Sequence, residues 1–177
     1  MALKATIFKA ELQIADMDRH YYDSHTLTIA QHPSETAERM MVRLLAFALY
    51  ANERLAFTKG ISTDDEPDLW QKSLSDEIEL WIELGQPEEK RLRKAAGRAE
   101  QVVVITYNSR SAAVWRNQMR DALAKLSNVT VRSLSNDSVE ALGRLAQRNM
   151  NLQCTIQDGE IGLGDDSQHL IIRFDAI

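Results

Sequence analysis

The chain is poor in cysteine, glycine, proline and aromatic residues: 1 Cys, 7 Gly, 3 Pro and 6% aromatics in 177 residues. A lone Cys154 can form neither an internal disulfide nor a cysteine metal knuckle. With no basic neighbour in sequence to lower its pKa, it reads as a buried, inert thiol. The few glycines form no P-loop and no dinucleotide fingerprint. Gly162-Leu163-Gly164 falls in a terminal hairpin rather than between a strand and a helix. His20, His25, His32 and His169 lack metal-ligand spacing such as HExxH, and no Ser/His/Asp order is recognisable. No apolar run approaches the ~20 residues of a membrane span. The start, MALKATIFKAELQ, has no signal-peptide core. A cytoplasmic protein with no membrane partner and no small-molecule cofactor is expected. Internal repeats, low-complexity stretches and long linkers are also missing. The formal net charge of −5 argues against bulk attraction to nucleic acid, so contact with a polyanion would need a local basic patch.

What remains suits one globular domain over 1–177, since 44% apolar residues are enough for a core. The N-terminus alternates: Leu3, Ala5 and Ile7 share one face. The phase slips at Phe8, after which Phe8, Ala10, Leu12 and Ile14 are the apolar set, and the slip predicts a bulge. A turn at Asp16 to Arg19 leads to a second strand around Leu27 and Ile29, making a hairpin. Pro33-Ser34-Glu35 opens a helix, with Ser34 as its cap and Ala37, Met41, Leu44 and Ala48 as its apolar stripe. Residues 58 to 68 are polar and turn-rich, with Gly60 and Asp64-Asp65-Glu66.

IELWIEL, Ile78 to Leu84, alternates strictly, with Glu79, Trp81 and Glu83 on one face. Gly85 ends this strand and Pro87 fits the first turn of a helix. Gln101 to Tyr107, QVVVITY, is apolar on both faces, as in a covered central strand. A capped helix from Ser111 to Leu126, a strand from Asn128 to Leu134, a helix from Asp137 to Gln147 and three closing strands complete the chain. The expected fold is α/β: a mixed sheet flanked by helices, parallel in its middle, with antiparallel strands added at both termini.

Chemistry concentrates on the Glu83 strand. A central strand that places two carboxylates on one face must satisfy them, because a buried carboxylate costs several kcal/mol unless paired, hydrogen-bonded or metal-bound. Glu79 and Glu83 either face solvent or pair with Arg91 and Lys94, or else Glu83 helps to bind a divalent metal. Hard cations such as Mg²⁺ take one or two carboxylates plus waters and phosphate oxygens. Asp68, fifteen positions earlier, is the natural second ligand, since a strand and a turn would bring the two together.

The stretches EPDLW, IELWIELGQPEEKRLRKA and VVVITYNSR, with HPSETAERMMVRLLAFALYA and TIQDG, resemble the YaeQ family of small bacterial proteins over nearly the whole chain. That family is similar in fold to the PD-(D/E)XK, restriction-endonuclease-like superfamily. The resemblance implies a core of helix, three strands, helix and strand, with a metal site at the strand ends. It implies Asp68 and Glu83 as metal ligands and a Mg²⁺- or Mn²⁺-dependent nuclease, or a degenerate relative. The motif lysine is missing: two past Glu83 stands Gly85. Lys90 or Lys94 on the next helix, or the uncharged Gln86, are the candidates to replace it, and Glu38 could match an auxiliary acid. The alternative is a module that binds nucleic acid or a protein partner and cuts nothing. For such a ligand the sequence offers the basic run Lys90, Arg91, Arg93, Lys94 and Arg98, which otherwise reads as an exposed helix face, and the Asn108-Ser109-Arg110 helix entrance. Arg116 and Arg120 could extend the run. Trp70, Trp81 and Trp115 read as core or pocket wall.

Overall fold

The computed structural model describes residues 4–59 and 65–175. Leu3, Gly60 and Asp64 lie outside the described residues. The elements, in chain order, are β1 (Thr6–Asp16), β2 (Tyr21–Gln31), α1 (Ala37–Tyr50), β3 (Leu55–Phe57), β4 (Leu69–Lys72), β5 (Ile78–Leu84), α2 (Glu89–Arg98), β6 (Ala99–Thr106), α3 (Ser109–Gln118), α4 (Arg120–Lys125), β7 (Val129–Ser133), α5 (Asn136–Leu145), β8 (Asn149–Gln157), β9 (Glu160–Gly164) and β10 (His169–Ile172). This is a mixed α/β fold with two mixed five-stranded sheets, not the one sheet expected. The chain falls into two compact units: Met1–Ala48 with Asp137–Arg173, and Leu49–Asn136 with Phe174–Ile177.

The first unit holds the sheet β10-β9-β8-β1-β2. Here β1 pairs antiparallel with β2 and parallel with β8, so the terminal hairpins close on each other instead of extending the middle strands. Their sequences explain this. β8 alternates exposed and buried at every residue, as a strand with one wet face must, while β6 is covered on both sides from Val102 onward. No bulge forms at Phe8: β1 and β2 pair without interruption from Thr6↔Gln31 to Asp16↔Tyr21. The apparent slip is Ile7, left 43% exposed near the strand's start.

The stripe expected on α1 is in fact its whole circumference, because every residue from Met40 to Leu49 is buried. A helix apolar all round has no solvent face to keep. The exception, Arg43, is neutralised by Glu35, at 2.6 Å from Oε1, and donates to the Ala30 carbonyl. The cap is Thr36, whose Oγ1 accepts from the Arg39 N–H at 3.1 Å, and not Ser34, which bonds His32. Cys154 is buried in this unit, and burial pushes its thiol up to about 12.

The second unit holds β3-β4-β5-β6-β7. β4 lies antiparallel to β5, while β5, β6 and β7 run parallel, so the Glu83 strand is the middle of five, as expected. Leu92 and Ala95 of α2, with Trp115, Met119 and Ala122, cover the face carrying Trp81, Val102, Val104 and Val131. The single helix expected over Ser111 to Leu126 breaks at Met119. Its φ of −93° and ψ of 2° end α3 and start α4, while its N–H still reaches the Trp115 carbonyl.

Candidate functional site

Asp68 and Glu83 are brought together by β4 and β5. Asp68 stands just before β4; its N–H bonds the Ile82 carbonyl at 3.0 Å, and its Oδ2 accepts from the Leu84 N–H at 2.9 Å. Glu83 therefore sits between the two β5 residues that Asp68 binds. Both acids are buried, at 4% and 7% exposure.

Glu83 is fully engaged. Its Oε1 accepts from the Trp81 indole at 3.0 Å and from Arg91 Nη2 at 3.2 Å, and its Oε2 accepts from Arg91 Nε at 2.5 Å. The same Nη2 donates to the Glu66 carbonyl at 2.8 Å. Burial raises the Glu83 pKa. The bonds and charge of Arg91 oppose that rise, the charge of Asp68 adds to it, and the Trp81 bond opposes it weakly. Burial outweighs the guanidinium because it disfavours the charged form throughout, whereas the ion pair is a quarter exposed on the Arg91 side.

Of the two sequence-level readings of Glu83, the ion pair with Arg91 is the arrangement present. Glu79 pairs with Arg54 at 2.5 Å, not with Lys94. Lys94 reaches Asp65 at 2.7 Å in an exposed pair, and Arg98 donates to the Asp65 carbonyl while lying 5.2 Å from the Trp81 ring centre. Lys90 is exposed and, with Glu88, Arg91 and Lys94, lines a depression of about 470 Å³ beside the Glu83 ion pair. Gln86 is half-buried, its amide donating to the Tyr107 carbonyl at 2.5 Å.

Gly85, where the resemblance would call for a lysine, has φ +97°, and a Cβ there would stand 3.5 Å from the Tyr107 hydroxyl. The backbone, and not only the residue, departs from the motif: an L side chain is strained at this φ. Glu38 lies in the first unit, its Cγ over Gly143, 2.7 Å from where a Cβ would stand.

The Asn108-Ser109-Arg110 entrance is filled by the chain itself. Asn108 caps α3, the Ser109 N–H donates to Asn136 Oδ1 at 2.9 Å, and its hydroxyl donates to Asp175 Oδ2 at 3.0 Å. Trp81 and Trp115 are buried, at 1% and 8% exposure, as core residues. No three His, Cys, Asp or Glu side chains converge as a metal-binding group among the described residues. No helix among them is long and apolar enough to cross a membrane.

Sequence reading missed the Trp81 N–H as a donor to Glu83. It named Arg91 and Lys94 as partners for Glu79 and Glu83 without assigning Arg91 to Glu83. Both signals are present: Trp81 is two residues from Glu83 on the same strand face, and Arg91 lies four residues before the buried Ala95.

The family model described as "YaeQ protein" matches residues 1–174. An "Uncharacterized protein YaeQ" of Escherichia coli K12 is 47% identical over 176 residues, 99% of this chain and 97% of that protein. One from Salmonella typhi is 48% identical over the same shares. Two crystal structures are similar throughout. The YaeQ protein from Xanthomonas axonopodis pv. citri has a TM-score of 0.93 at 49% identity, covering 96% of each chain. That from Pseudomonas syringae has 0.91 at 40%, covering 96% of this chain and 94% of the other.

Proposed function

The chain belongs to the YaeQ family, and from that premise we propose that it binds nucleic-acid phosphates through α2 and does not cut them. The carrying observation is the Arg91 guanidinium laid across Glu83 at the rim of a depression lined by Lys90, Arg91 and Lys94. The chain carries a net charge of −5, so any polyanion must find a local basic patch, and Lys90, Arg91 and Lys94 line one beside Glu88, with Arg91 and Lys94 paired to Glu83 and Asp65. Lys90 and Lys94, four apart, share a helical face and can straddle successive phosphates. The Lys94–Asp65 pair is exposed on both sides, so a phosphate can replace Asp65 at little cost.

A PD-(D/E)XK-type framework is supported by element order: α1, β3, β4, β5, α2, β6 repeats the helix, three strands, helix and strand that the family resemblance implies. Asp68 and Glu83 also occupy the positions of its two acids. As arranged, however, they do not suit a divalent cation, because both Glu83 oxygens already accept from protein donors. The motif lysine has no counterpart at Gly85. In this reading the site keeps the frame of a nuclease and has exchanged hydrolysis for binding.

A second reading is a Mg²⁺- or Mn²⁺-dependent phosphodiesterase. One observation favours it, the placement of Asp68, just before β4, beside Glu83. It requires Arg91 to leave Glu83.

Fluorescence anisotropy with single- and double-stranded DNA and RNA, in chelator, separates the two. Metal-independent binding should weaken steeply between low and physiological salt. Lys90→Ala should lower the salt slope by about 1. Cleavage with Mg²⁺ or Mn²⁺ that Glu83→Gln abolishes would overturn the proposal in favour of the second reading. Absence of salt-dependent binding to any of the four would overturn it in favour of a protein partner.

A further inference from the structure

We propose that Arg91 is a resident, protein-borne cation standing where a divalent metal would otherwise sit, so that Asp68 and Glu83 form a latent metal site that opens when Arg91 is removed. This does not depend on the nucleic-acid reading, since it concerns only what occupies the oxygens of Glu83.

Asp68, just before β4, and Glu83 on β5 are both nearly inaccessible to solvent and are joined through the Leu84 N–H. A cation relieves the desolvation and mutual repulsion of two neighbouring buried carboxylates. Arg91 supplies it with the geometry of a fixed ligand. Nε and Nη2 take one Glu83 oxygen each, and Nη2 is further tied to the Glu66 carbonyl. A guanidinium held at three acceptors on two segments is not a surface side chain resting on the nearest acid.

The backbone explains why this cation and no other fills the place. Leu92 and Ala95 fix which side of α2 faces the sheet. Arg91, Ala95 and Arg98 follow at i, i+4 and i+7 along that side, so Arg91 reaches Glu83 and Arg98 reaches the Trp81 ring. Lys94 lies off this line and goes to Asp65, while Lys90 lines the depression.

The exchange is unequal, because Arg91 brings one positive charge where a divalent ion would bring two. Without Arg91 the Glu83 oxygens lose their cation beside a second buried carboxylate, a pairing that a hard divalent cation with oxygen ligands would satisfy.

The test is a calorimetric titration of Mn²⁺ into the wild-type chain, Arg91→Met, and Arg91→Met/Glu83→Gln, with Mn²⁺ electron paramagnetic resonance as a second readout. Methionine keeps most of the aliphatic stem and removes the charge. The wild type should show no saturable site. Arg91→Met should bind one Mn²⁺ at least about tenfold more tightly than any wild-type binding, a factor well inside the cost of leaving a buried charge uncompensated. The double variant should lose that site. Should Arg91→Met be recovered unfolded, Mn²⁺-dependent refolding followed by circular dichroism would support the proposal. Failure to refold with or without Mn²⁺ would overturn it. So would a folded Arg91→Met that binds no metal, or a wild type that binds Mn²⁺ as tightly as the variant.

Discussion

Arg91 Nε lies 2.5 Å from Glu83 Oε2, joining the first turn of α2 to the penultimate residue of β5 across eight positions of sequence. The bond ties the helix that follows the central strand to that strand's one buried acid. Removing it should be costly in a graded way. Fully buried pairs lose about 3–5 kcal/mol when one partner goes, and exposed pairs about 0–1. With Glu83 buried and Arg91 a quarter exposed, Arg91→Ala should cost about 2 kcal/mol in urea unfolding monitored by tryptophan fluorescence. A change under about 0.5 kcal/mol would mean the pair is ornamental.

Glu83 also sets a pH dependence. Its folded pKa lies above the ordinary value of 4.5, chiefly through burial. Between those two pKa values the folded chain holds a proton that the unfolded chain has lost, so stability from this group falls as pH rises through the window. It is fully present below 4.5. The stability of wild type minus that of Glu83→Gln, from denaturant midpoints across acidic pH, should therefore decline as pH increases. A difference that grew with pH would show the guanidinium outweighing burial.

Gly85 tests the missing lysine. At φ +97° an L residue is strained by roughly 1–2 kcal/mol. Tyr107 stands at ordinary contact distance from the place a methyl group would take, so the cost is conformational rather than a clash. Gly85→Ala should lose about that amount. Gly85→Lys should lose at least as much and gain no metal-dependent cleavage. Equal stability of Gly85→Ala and wild type would remove the backbone explanation.

These three residues also mark how far the sequence could be read. The Glu83 strand was legible because IELWIEL alternates and QVVVITY, soon after it, does not, which places one strand beside a doubly covered neighbour. Asp68 was legible through its spacing. The two-sheet division was not, because β1 joins β8 by contacts as distant in sequence as Arg148 to Ile7, and alternation says which face is wet without saying which strand is next. The choice of Arg91 over Lys90 or Lys94 was available in the phase of Leu92 and Ala95. It was obscured because five cations in nine residues read first as a solvated face. Gly85 carried its φ unseen, since a glycine at a strand's end does not reveal its dihedral.

Cys154 offers a check on the first unit. Its thiol is pushed from 9.0 up to about 12 by burial, with the Asp16 charge adding to it. It should resist iodoacetamide in the native chain at pH 8 and react at the free-thiol rate in denaturant. As pH rises above 9.0 the unfolded thiol ionises first, so this group's contribution to stability is lost from there upward. Fast native labelling would show that β8 opens readily.

The central claim, that a guanidinium and not a metal stands at Glu83 beside Asp68, is tested most directly by a crystal structure of the wild-type chain grown in Mn²⁺ and recorded at the manganese absorption edge. Arg91 should lie across both Glu83 oxygens, with no anomalous peak at ligand distance. A peak about 2–2.5 Å from carboxylate oxygens of both Asp68 and Glu83, with Arg91 turned away, would contradict it.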